Sequence, residues 1–269
     1  RGQWLAPFIL SPHNSGIIYY GSQFVHRSMN EGETWECLSK DLTYNDDTKK
    51  GDIPYQTIFS LSESPLKFGL IYAGTDDGFI QVTEDGGASW KKIEITSLPG
   101  VPATAFVDDV KADLFNENTV YVMSAPALRS IDGGENWENV TPADMKDGIV
   151  NSIEVSPHDP ATTYITLMRY KSMDLRPYIY KTSNYGQSWT KLVNGFTDEH
   201  TFVRVVREDP VRQGLLYAGT ETGLYVSIDD GQNWQQFQLN LPVVPINDLV
   251  IQDNDLVAAT AGRSFWILD

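Results

Sequence analysis

Cysteine is almost missing from this 269-residue chain: Cys37 stands alone, which excludes an internal disulfide framework and any site built from several thiolates. It is read as a half-buried small residue just after a Trp. Cations are scarce too, with 20 Lys and Arg against 36 Asp and Glu and a formal net charge of -16. Binding to nucleic acid or to an anionic membrane needs a surplus of cations against phosphates, so neither is an expected partner. No apolar run approaches the roughly 18 residues of a spanning helix, and no membrane span is expected. The chain opens at Arg1 without a charged and then apolar leader, so any leader lies outside it.

Histidine is sparse as well. His13, His26, His158 and His200 show no metal-ligand spacing, and "SPHN" and "SPHDP" place His13 and His158 in what reads as one repeated structural turn. The run "DLTYNDD" does not match the spacing of a calcium loop and is read as a solvated link. No phosphate-cradling or dinucleotide motif is present, so neither a metal nor a cofactor is expected.

What the chain does contain is aromatic and repetitive. With 41% hydrophobic and 12% aromatic residues it can build one large core, and a single all-β domain of this length is ordinary. The stretch "RSIDGGENW" at 129–137 raises a question, because a polar turn ends in tryptophan. Gly133 and Gly134 supply the positive φ of a tight turn, and Ser130 and Asp132 bond nearby amides. The pattern recurs as "SMNEGETW" at 28–35, "TEDGGASW" at 83–90, "TSNYGQSW" at 182–189 and "SIDDGQNW" at 227–234. A box of Ser/Thr, x, Asp/Asn, x, Gly, x, x, Trp recurring every roughly 50 residues is the mark of propeller blades or solenoid units, which bury their faces only by stacking.

Around each box lie short β-rich runs separated by turn residues. In the fifth unit these are "FVRVVRED", "GLLYAGT" and "GLYVSID" before the box and "WQQFQLN" after it. The box is thus the turn between third and fourth strands, and its Trp opens the outermost strand, folding back over the turn. The predicted architecture is all-β: a β-propeller of five four-stranded blades, about 4–45, 54–98, 104–142, 148–195 and 200–241, with a partial sixth over 245–269 lacking a box. Closed propellers hide their edges, so one domain forming a segment of a larger propeller is the favoured reading.

The boxes, with Asn30 and Trp35, Asp85 and Trp90, Asp132 and Trp137, Asn184 and Trp189, and Asp229 and Trp234 as structural residues, resemble the Asp-box or BNR repeat. That repeat occurs in sialidases, xyloglucanase-type glycoside hydrolases, photosystem assembly factors and the VPS10 domain of sortilin-like receptors. Longer stretches, "VREDPVRQGLLYAGTETGLYVSIDDGQNW" and "DLVAATAGRSFWILD" among them, resemble bacterial sortilin-like, VPS10-type proteins labelled BNR-repeat glycosyl hydrolase. The resemblance covers essentially the whole chain and implies longer relatives, further repeats as neighbours and a secreted, periplasmic or cell-envelope location. It also departs from the family at Ala261, where a His usually precedes "GRS".

Three functional classes remain: a glycoside hydrolase, a non-enzymatic binding module, and an assembly or scaffold factor. Asp76, Asp77 and Glu221, in "GTDDG" and "GTETG", would supply the carboxylates of a glycoside hydrolase, although Asp-Gly and Thr-Gly are ordinary hairpin turns. A sialidase would need three converging arginines; Arg169, Arg176, Arg204, Arg207 and Arg263 are available without the characteristic motif, and "VREDP" reads as a strand-end ion pair. The leading expectation is a non-enzymatic module that binds a protein, peptide or glycan. The links 39–56 and 168–178 depart most from regular blades, and extra loop length is where function concentrates. Tyr170 and Arg176 in the second link, with Arg204 on the following inner strand, are the expected binding residues.

Overall fold

A computed structural model describes residues 3–4, 6–98, 100–124, 126–145, 148–198 and 200–269. The chain divides into two compact units, Arg1–Thr141 and Pro142–Asp269, and each contains three antiparallel sheets whose strands pair in chain order.

In the first unit, β1 (Phe8–Ser11), β2 (Asn14–Gly21), β3 (Val25–Ser28) and β4 (Glu36–Cys37) form the first sheet. The second comprises β5 (Ile58–Glu63), β6 (Ile71–Thr75), β7 (Phe79–Thr83) and β8 (Lys91–Glu94). The third comprises β9 (Asp109–Ala112), β10 (Val120–Met123), β11 (Ala127–Ser130) and β12 (Glu138–Asn139). In the second unit the fourth sheet is β13 (Ile149–Val155), β14 (Thr163–Met168), β15 (Ile179–Thr182) and β16 (Thr190–Lys191). The fifth is β17 (Val203–Glu208), β18 (Leu216–Thr220), β19 (Leu224–Ser227) and β20 (Gln235–Gln236). The sixth has three strands, β21 (Ile246–Gln252), β22 (Asp255–Thr260) and β23 (Phe265–Leu268).

Apolar runs such as "IYAGT" and "FIQVT" do not alternate because β6 and β7 are buried along their whole length. A strand covered on both faces has no solvent side to make polar. Each core cluster joins neighbouring sheets: Tyr19, Val25, Ile58 and Ile71 connect the first and second, and Tyr72, Ile80, Val110 and Val122 the second and third. In the second unit, Tyr164, Ile179, Val206 and Leu216 connect the fourth and fifth sheets, and Val205, Leu224, Ile246 and Leu249 the fifth and sixth.

The box turns share one internal scaffold. The Ser130 hydroxyl donates to Asp132 Oδ1 at 2.9 Å and accepts from Gly134 N at 2.8 Å, while Asp132 Oδ1 also accepts from Asn136 N at 2.8 Å. Thr83 and Asp85, Thr182 and Asn184, and Ser227 and Asp229 repeat the set. Every box Trp immediately precedes the outermost strand of its sheet. Four of the indoles take one of two destinations. Trp35 and Trp137 fold back on their own turns, donating to Gly32 and Gly134 carbonyls at 3.0 and 3.2 Å. Trp90 and Trp234 instead reach the preceding sheet, donating to the Leu38 and Leu192 carbonyls at 3.3 and 3.2 Å.

Polar clasps also join sheets. His13 Nε2 donates to the Ser64 carbonyl at 2.8 Å and His158 Nε2 to the Asp209 carbonyl at 2.7 Å, so the repeated "SPH" turn is a repeated latch. Buried Glu63 accepts from Ser11 Oγ at 2.5 Å, Tyr19 OH at 2.9 Å and Gly69 N at 3.0 Å.

Three expectations need correction. Cys37 is exposed, because β4 is a two-residue outer strand, and its thiol donates to the Ser39 carbonyl at 3.3 Å. The link at 39–56 is not simply solvated: Leu42 is buried, its carbonyl accepts from Gln81 Nε2 at 2.7 Å, and the Tyr44 ring lies 4.3 Å from that of Phe79. Arg207 is not a strand-end partner of its neighbours. It spans three sheets, donating to Ser152 Oγ at 3.1 Å in the fourth, and to Asp248 Oδ1 at 2.7 Å and the Leu249 carbonyl at 2.9 Å in the sixth.

Candidate functional site

The link between β14 and β15 opens with a short 3-10 turn, Tyr170–Ser172, closed by Met173 in the left-handed region at φ 59°. Asp174 then becomes a hub. It accepts from Arg176 Nε and Nη2 at 2.9 and 2.8 Å, from Tyr178 OH at 2.7 Å and from Arg169 Nη1 at 3.2 Å. Hydrogen bonding to Arg176, followed by Tyr178, holds the Asp174 carboxyl well below its usual range. Lys191 lies 3.9 Å above the Tyr178 ring, and burial pushes its ammonium pKa down.

The strand facing this link is irregular in a useful way. Pairing of β17 with β18 slips between Val203 and Val205, leaving Arg204 as a bulge residue. A bulge frees a backbone carbonyl from its own ladder and re-aims the side chain. The freed Arg204 carbonyl accepts from Thr166 Oγ1 at 3.2 Å and from Asn151 Nδ2, itself the bulge residue of β13. Its guanidinium lies 5.1 Å from the Phe202 ring and donates through Nε and Nη2 to Glu221 Oε2 at 2.9 and 2.6 Å. Tyr170 stacks on the same Phe202 ring at 6.0 Å and 25°.

Tyr170 and Arg204 are therefore brought together through Phe202, which sequence reasoning missed; its only signal was an aromatic residue just before an apolar strand. Arg176 is held by Asp174, also missed. Together with Met173, Leu175 and His200, Asp174 and Arg176 line a shallow, open depression.

The three candidate acids are each engaged locally. Asp76 accepts from Thr57 N and Thr57 Oγ1, both at 2.8 Å, and Asp77 from Thr75 Oγ1 at 2.5 Å and Tyr44 N at 2.8 Å. Burial is the main cause that raises both carboxyls above their ordinary range. Glu221 is the partner of Arg204. Among the described residues no group of three or more His, Cys, Asp or Glu could hold a metal ion, and no helix is long and apolar enough to cross a membrane.

Comparison of the sequence with protein-family models and with curated proteins returns no match. Solved structures do match. An ancestral GH74 enzyme aligns over 97% of this chain at TM-score 0.71 and 18% identity, and the GH74 xyloglucanase of Xanthomonas campestris over 99% at 0.62 and 14%. YCF48 bound to D1 peptide aligns over 98% at 0.65 and 16%. The aligned region spans 38% and 52% of the two GH74 chains and 80% of the YCF48 chain. The chain is an all-β β-propeller of six blades with three or four strands each. At such identities the likeness defines the fold, and the fold hosts both hydrolases and peptide binders.

Proposed function

We propose that this propeller is a non-enzymatic binding module of a secreted or envelope protein, recognising a protein, peptide or glycan through the blade ends that carry Tyr170, Arg176 and Arg204. The observation behind this reading is the convergence of Tyr170 and Arg204 on Phe202 beside the depression lined by Arg176. Aromatic and guanidinium groups held by bulges and ion pairs are pre-organised anchors, and such anchors dominate binding energy at interfaces. The likeness to YCF48 bound to D1 peptide supports the peptide form of this reading. Peptide and glycan arrays probed with the full chain, followed by calorimetry on the best ligand, test it. Loss of binding in Tyr170→Ala and Arg176→Ala is the expected result.

The second reading is a glycoside hydrolase of the Asp-box xyloglucanase type using two carboxylates, favoured by the raised carboxyl pKa values of Asp76 and Asp77 and by the GH74 likeness. A raised carboxyl pKa suits a general acid. Turnover of xyloglucan or chromogenic glycosides that vanishes in Asp76→Asn or Asp77→Asn would establish it and overturn the first.

A further inference from the structure

Met173 closes the Tyr170–Ser172 turn with φ at 59°, a left-handed conformation that glycine or asparagine adopts at lower cost. Its side chain is 92% exposed, so little packing offsets that strain. Strained positions of this kind gather where a ligand is gripped. Met173 lines, with Asp174, Leu175, Arg176 and His200, a depression of ≈ 800 Å³ of empty space, its mouth included. That space admits a whole aromatic side chain.

Every charged group on these walls already has a partner. Asp174 accepts from Arg169, Arg176 and Tyr178, with both of its oxygens engaged. Arg176 meets it edge on, Nε to Oδ1 and Nη2 to Oδ2. His200 Nδ1 faces Asp198 Oδ1 at 3.3 Å. A ligand carboxylate or phosphate would have to compete with Asp174 for Arg176. Sugar hydroxyls, each a donor and an acceptor, would find few groups on these walls to pair with. What the walls present instead is soft surface: a thioether, the Leu175 side chain and the plane of a guanidinium fixed by two bonds. Sulfur and guanidinium planes both favour aromatic rings over aliphatic groups.

We propose that the ligand of this face is a peptide anchored by an aromatic side chain, seated in the depression against the Met173 thioether and the guanidinium plane of Arg176. The proposal rests on the reading of Tyr170, Arg176 and Arg204 as the binding face, and it narrows the ligand from protein, peptide or glycan to one chemistry. Asp174 is a positioning residue, since its two oxygens hold the Arg176 plane. Aromatic side chains are the usual anchors where one contact dominates a peptide or protein interface.

The probe is N-acetyl-tryptophanamide, titrated into the full chain with carbon-13 at its methionine methyls and followed by nuclear magnetic resonance at the Met173 methyl and the His200 ring. N-acetyl-leucinamide, N-acetyl-glutamate amide and methyl glucopyranoside are the comparisons. Saturable ring-current shifts at both residues are expected with the indole, which should bind about threefold or more tighter than the leucine amide. Met173→Gly suits φ 59°, so the melting temperature should change little while the affinity read at His200 falls about threefold or more. Arg176→Lys keeps the charge beside Asp174 but loses the plane, and should weaken the indole likewise. No saturable shift with the indole, equal binding of the leucine amide, or tighter binding of the glutamate amide or the glucoside overturns the proposal. So does unchanged affinity in folded Met173→Gly. Peptide and glycan arrays separate this failure from failure of the reading beneath it. An array ligand that is lost in Tyr170→Ala and Arg176→Ala but carries no aromatic residue removes the aromatic anchor alone. Ligands that survive both substitutions remove the binding face as well.

Discussion

Trp234 and Leu192 are joined across two sheets by an indole N–H to carbonyl bond of 3.2 Å, in a contact that leaves the indole almost fully buried. Trp35, with the same box pattern around it, bonds its own turn and is 45% exposed. The two tryptophans should therefore differ sharply in energetic weight. Trp234→Ala should cost about 3–5 kcal/mol, as large-to-small changes in a packed core do. Trp35→Ala should cost under about 1 kcal/mol. Urea denaturation followed by tryptophan fluorescence and far-ultraviolet dichroism measures both.

Gly195 gives an independent probe of that contact. Its φ is +96°, and an added Cβ would run into the backbone of Trp234. Gly195→Ala should lower stability by more than about 1 kcal/mol, from the left-handed backbone and the overlap together. Gly51→Ala, where an added Cβ meets nothing within 4 Å and φ is not positive, should change the melting temperature little. Equal effects of the two substitutions would remove Gly195 from this role.

The box acids predict an acid limb of stability. Bonds from Asn136 hold Asp132 down to about 2, and bonds from Ser89 and Asn233 hold Asp85 and Asp229 below their usual range. A carboxyl lowered in the folded state contributes stability that is fully present above its unfolded pKa of about 3.9. That contribution is lost as pH falls through the folded value. For Asp132 the loss should fall between about pH 4 and 2. Asn30 and Asn184 occupy the same box position naturally, so Asp132→Asn should keep the turn and flatten this limb. Melting temperatures of both proteins across that window decide it.

Tyr170→Ala and Arg176→Ala should weaken ligand binding by about tenfold or more each, with the melting temperature nearly unchanged, because both residues are exposed. Asp174→Ala is the contrast, since it releases Arg169, Arg176 and Tyr178 together. It should lower both binding and stability. A stability loss with intact binding in Tyr170→Ala would make its contact with Phe202 a packing element.

The boxes were legible in the sequence because their chemistry is local. Ser130, Asp132 and Gly134 lie within one turn, so spacing alone reveals their cooperation. Where each tryptophan sends its indole was not legible, because Trp35 and Trp234 close the same box pattern and their indoles are placed by residues distant in sequence. Arg204 was singled out from its place on the first strand of its unit, yet the bulge that aims it depends on a slip in pairing that no residue type announces. Phe202 escaped notice because an aromatic beside a strand is common and Tyr170 reaches it from another link; Asp174 escaped notice because an acid in a loop is common, although Arg169, Arg176 and Tyr178 all lie within five residues of it. Arg207 was misjudged for the opposite reason: its sequence neighbours Glu208 and Asp209 offered an obvious pairing, while its partners lie in other sheets.

The reach of Arg207 bears on how this part of the molecule comes apart. In a repeat array each unit is secured mainly by its immediate neighbours, and fraying travels inward one unit at a time. A guanidinium on β17 that grips Ser152 on one side and Asp248 on the other ties three sheets to a single side chain. Opening either outer sheet strips part of the bonding from the middle one. The amides of β13, β17 and β21 should then exchange with solvent from one shared opening event, a cooperative block in place of a graded series.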